Sequence, residues 1–76
     1  MLDSVVLVVY GWKSVQPGTL SWVFPSLAAA VQAAHAMTNA VRWAIVAGGA
    51  ARVSVDAARV LANARAAGGV LLEHAG

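Results

Sequence analysis

The apolar positions of this chain change period several times, and each change marks an element. From Val5 to Lys13 the run Val5, Val6, Leu7, Val8, Val9, Tyr10 and Trp12 is dense in β-branched and aromatic side chains. Such residues fit a pleated backbone, so the run predicts a strand. Val5, Leu7 and Val9 would face one side, and Val6, Val8, Tyr10 and Trp12 the other. Neither set is polar. The strand is therefore expected in the middle of its sheet, or with its second face against another subunit.

Gln16-Pro17-Gly18-Thr19 reads as a turn. Proline presets φ at the second position, and glycine accepts the positive φ that a type II turn needs at the third. Leu20 to Phe24 then returns as an antiparallel strand, with Leu20, Trp22 and Phe24 on one face and Thr19, Ser21 and Val23 on the other. Pro25 stops it.

Past Pro25 the period becomes helical. Ser26 is placed to cap the helix, and Leu27, Ala30, Val31, Ala34, Met37 and Val41 recur at spacings of three and four. Gln32, His35 and Asn39 share the opposite side. The continuous apolar run Trp43-Ala44-Ile45-Val46, within a strand expected over Arg42 to Val46, ends at Gly48-Gly49, as a strand covered on both faces would. Ser54 is a second candidate cap, with Asp56 in the first turn and Val55, Ala58, Leu61, Ala62 and Ala66 as the apolar stripe. Gly68-Gly69 ends this helix, one of them in the left-handed position, and Val70 to Glu73 makes a short last strand.

The order β-β-α-β-α-β within one domain, residues 1–76, implies an α+β fold. The expected form is two-layered: a mixed sheet of about four strands with two helices on one face. The other face would then be open and apolar. It would close against a second copy of the chain, making a homodimer whose candidate interface is Val6, Val8, Tyr10, Trp12, Trp22 and Trp43.

Composition sharpens that expectation. In 76 residues the hydrophobic share is 61% and the charged share 11%, so few charges cover a surface that is large for its volume. The window Leu27 to Val41 carries no charge but contains Gln32, His35, Thr38 and Asn39, and it falls short of the roughly 20 apolar residues that span a bilayer. No membrane association is expected. With no cysteine there is neither a disulfide framework nor a thiolate metal site. Met1-Leu2-Asp3-Ser4 places an acid where a secretion signal carries a base, and a cytoplasmic location is expected.

Candidate chemistry is sparse. His35, His74, Glu73 and Asp56 do not have metal-ligand spacing, and neither a metal nor another cofactor is expected. The three acids, Asp3, Asp56 and Glu73, are accounted for by a terminus, a helix start and an exposed strand position, so an enzyme acting alone is not expected. Gly48-Gly49 lacks the further glycines and the Lys-Ser/Thr pair of phosphate-cradling loops, and reads as a turn with Arg52 nearby. Tyr10, Trp12, Trp22 and Trp43 on strands, with Lys13, Arg42, Arg52, Arg59 and Arg65, give a rival reading as a single-strand nucleic-acid binder. Against it, the cations are scattered along the chain. The sequence is read first as a small non-enzymatic interaction or accessory module that self-associates, and second as that nucleic-acid binder.

Overall fold

The computed structural model describes residues 4–14, 18–48 and 56–75. Within them lie β1 (Val5–Trp12), β2 (Leu20–Phe24), α1 (Leu27–Ala36), β3 (Ala40–Ala47), α2 (Ala57–Ala67) and β4 (Val70–His74). The α+β class and the β-β-α-β-α-β order are those the sequence implies. The sheet has four strands in the order β2-β1-β3-β4.

All three pairings are antiparallel, which corrects the mixed sheet expected from two strand–helix–strand passages. The reason lies in where each helix returns the chain. β2 and β3 run in the same direction but are held apart by β1, which pairs with both. The passage through α2 brings the chain back to the end of β3 that it left: Val70 pairs with Val46, and the Ala47 amide donates to the Gly69 carbonyl at 2.8 Å.

A second correction concerns the layers. The helices lie on opposite faces, so the fold has three layers rather than two. Val5, Leu7, Val9, Trp43 and Ile45 pack with Ala30 and Ala34 of α1. Val6, Val8, Ala44 and Val46 pack with Val60, Leu61 and Ala64 of α2. An isolated two-layer unit would leave Val6 and Val8 in water, whereas α2 buries them within the same chain. The apolar character of both faces of β1 is thus satisfied without a partner. Leu7, Val8, Val9, Ile45 and Val46 are fully buried, and the core of the described residues contains no polar side chain.

Local chemistry sets the element ends. Ser26 caps α1, its Oγ accepting from the Ala29 amide at 3.2 Å. The helix stops ten residues on, at Ala36, well before Val41. Met37 leaves helical geometry while its amide still reaches the Ala33 and Ala34 carbonyls, and the Ala40 amide closes a turn onto Met37. Thr38 and Asn39 sit in that turn, and Val41 belongs to β3 instead. Asn39 therefore lies outside the helix, and its carbonyl accepts from the Lys13 amide at the end of β1.

Asp56 is itself the cap of α2, its carboxylate accepting from the Ala58 amide at 3.0 Å. The stripe facing the sheet is Ala57, Val60, Leu61 and Ala64, and Ala58, Ala62 and Ala66 face outward. That shifts the expected stripe: alanine is apolar on both sides of this helix, so only Val60 and Leu61 fix its rotation. Gly68 takes the left-handed position that ends α2, with φ of 70°. Ser54, Val55, Arg52 and Gly49 lie outside the described residues, as do Gln16 and Pro17 of the turn before β2. Gly18 has the positive φ expected of it, 90°. Gly48 is required for a close approach instead. Its amide donates to the Ser4 carbonyl oxygen, and a Cβ at this position would collide with that same oxygen.

Candidate functional site

The helices bury the central strands and leave apolar side chains of the edge strands exposed. The large hydrophobic residues that remain exposed among those described are Leu20 and Val23 on β2, Leu27 at the start of α1, and Leu71 and Leu72 on β4. Val23 is the most open of these, at 71%. β2 pairs only with β1 and β4 only with β3, so each has one side of its backbone without a strand partner.

The six residues expected to form one interface divide between the two faces. Tyr10 joins Val6 and Val8 on the α2 face, and Trp12, Trp22 and Trp43 pack on the α1 face. Val6, Val8 and Trp43 are buried within the chain and offer a partner nothing. Tyr10, Trp12 and Trp22 are half-buried. Simple alternation along β1 puts Trp12 on the wrong face, because register shifts at Gly11 and Trp12 rotate the end of the strand.

Each tryptophan is occupied by intrachain contacts. The Trp12 indole N–H donates to the Gly18 carbonyl, and its ring meets Trp22 edge-on at a centroid separation of 6.4 Å. Trp43 is flanked by both histidines: His74 stacks on it at 5.5 Å and His35 meets it edge-on at 6.0 Å. The two histidines that the sequence leaves apart are therefore brought to one indole. No group of three metal-ligating side chains occurs among the described residues.

Where β1 ends and β3 begins, a shallow cleft of about 240 Å³ is lined by Gly11, Trp12, Val41, Arg42 and Ala75. The methylene stem of Arg42 crosses Gly11, which has no side chain to obstruct it. Arg42 and Trp12 thus line the same cleft, and exposed Lys13 follows Trp12 in the chain.

On the other face Tyr10, Arg65 and Glu73 form a cluster that no spacing in the sequence announces. The Tyr10 hydroxyl donates to Glu73 Oε2 at 2.5 Å, and Arg65 pairs with the same oxygen at 2.5 Å. The Arg65 guanidinium also lies 5.6 Å from the centre of the Tyr10 ring. Burial raises the Tyr10 pKa above its ordinary value, and the hydrogen bond and charge of Glu73 raise it further; Arg65 acts in the opposite sense. Glu73 is thus the link between β4, the end of α2 and β1, rather than a free strand position. Its position on the α2 face follows from its pairing with Ala44, so the cluster becomes legible only once α2 is placed.

Among the described residues, no helix is long and apolar enough to cross a membrane. Comparison with protein-family models, curated proteins and solved structures finds no match to this chain.

Proposed function

We propose that this chain is a small non-enzymatic interaction module that self-associates through a free edge of its sheet. The carrying observation is where the exposed apolar side chains lie. The helices bury the central strands β1 and β3, and the large hydrophobic residues still open to solvent lie on the two edge strands and at the start of α1. An edge strand with an apolar surface is a template for another strand, because its outward N–H and C=O groups can continue the ladder. A cytoplasmic setting suits a chain with no cysteine. Sedimentation across a hundredfold dilution tests the proposal: a dimer that dissociates only at the lowest concentrations supports it, and a monomer throughout contradicts it.

A second reading, single-stranded nucleic-acid binding, draws on the cleft where Trp12 and Arg42 lie together. It predicts tryptophan quenching by a short oligonucleotide and weakening of binding as salt rises. Absence of quenching at low salt rules it out.

A further inference from the structure

Resting on that reading, we infer that the contact surface is the outer edge of β2 and that its occupant is β2 of a second copy. The two strands run antiparallel about a two-fold axis at Trp22. The two edges differ in chemistry. β4 carries Glu73 and His74, and its pairing with β3 is interrupted by a register shift that leaves Leu71 without a partner residue. A charge and a bulge are both devices that discourage a further strand from joining. β2 has neither. Its five residues, Leu20-Ser21-Trp22-Val23-Phe24, contain no charge and no proline, and they pair with β1 in an unbroken register.

The same five residues oppose themselves well. With the axis at Trp22, Leu20 lies opposite Phe24 of the partner subunit and Ser21 opposite Val23 of the partner subunit. Residues facing each other in an antiparallel pair point to the same side. The face covered by α1 in one copy therefore continues into the α1 face of the other, and Trp22 meets its own counterpart. No like charges are opposed, and the net charge of only +2 per chain gives little repulsion at longer range. The incoming strand enters in the plane of the sheet, about 4.8 Å from β2. Both helices pack on the faces, so this direction is open. Val23, at 71% exposure on the α2 face of β2, gains cover from the incoming strand.

Three proteins compared by sedimentation test the assignment. Val23→Lys places a charge at an exposed position and should weaken self-association at least tenfold, while Leu72→Lys on β4 should leave it unchanged. If Leu72→Lys dissociates the dimer and Val23→Lys does not, the assignment to β2 is overturned while self-association stands. If the unaltered chain is itself monomeric, both fall. The register is tested by cysteine, of which the chain has none. Trp22→Cys puts two Cα atoms roughly 4.5–5.5 Å apart across the axis, within disulfide range, and mild oxidation should link the subunits. Ser21→Cys, diagonal to its counterpart at roughly 7–8 Å, should remain largely unlinked. The reverse pattern overturns the axis at Trp22.

Discussion

β2 and β4 stand in the same position at opposite edges of one sheet, yet their chemistry differs. β4 is held by side chains: Glu73 joins Arg65 of α2 and Tyr10 of β1, and His74 stacks on Trp43 of β3. Its charge serves the chain's own packing. β2 is held by its ladder with β1 and by Trp22 and Phe24 packing beneath α1. Its outer side has no strand partner, and its exposed Val23 stands on the α2 face opposite Val6. The charged residues at the β4 edge are therefore the same ones that fix the tertiary structure there, whereas β2 carries none.

The largest effect is expected in the core beneath both edge strands. Leu7 of β1 is fully buried and pairs with Trp22 on one side and Ile45 on the other, so it supports both edges at once. Leu7→Ala should cost about 2–5 kcal/mol, seen as a lower urea midpoint at fixed protein concentration. Because that is a large part of the stability of a small domain, both edges should be lost together. A loss below about 0.5 kcal/mol would show that the two edges do not share this core.

A smaller effect is expected at Gly48, where the sheet end is tied to Ser4. Gly48→Ala forces a methyl group against the Ser4 carbonyl, and the cost should be about 1–3 kcal/mol in the same measurement. The two caps come next and separate the layers. Ser26→Ala and Asp56→Ala should each cost about 1 kcal/mol. The first lies beside β2 and should also weaken self-association; the second lies on the other face and should alter stability alone. Equal effects of both on the dissociation constant would contradict the assignment of association to the β2 side.

The smallest effect sharpens the β4 side. The raised pKa of Tyr10 means that its neutral phenol is favoured in the folded chain. This contribution is fully present below the ordinary tyrosine pKa of 10.0 and is lost as pH rises through the folded value. Tyr10 is the chain's one tyrosine, so absorbance of tyrosinate follows it directly. Ionisation should occur above the ordinary value and return to it in denaturant. Glu73→Gln should lower the folded value, since it removes the acceptor's charge, although burial continues to act upward. No change in this variant would mean that Glu73 does not hold Tyr10.

Much of this fold is legible in the residues. The bounds of β2 follow from Leu20-Ser21-Trp22-Val23-Phe24 standing between a turn and Pro25, and the end of α2 follows from Gly68. The doubly apolar β1 also indicates a central strand. What it does not indicate is which element covers the second face. A partner chain and α2 are equivalent solutions for Val6 and Val8, and α2 is so rich in alanine that its inward side is set by Val60 and Leu61 alone. The length of α1 is obscured for a related reason. Met37 and Val41 fit a helical stripe, but Val41 fits β3 as well, and the turn at Thr38 and Asn39 separates them. The edges become candidates only once the central strands are covered, because exposure of Val23 depends on the position of β2 in the strand order.

Amide hydrogen exchange of β2 and β4, read at two protein concentrations a hundredfold apart, tests the central claim most directly. If second copies join at β2, outward-facing amides between Leu20 and Phe24 should exchange more slowly at the higher concentration, while those between Val70 and His74 keep one rate. Concentration-dependent protection at β4 with none at β2, or none at either edge, would contradict association through β2.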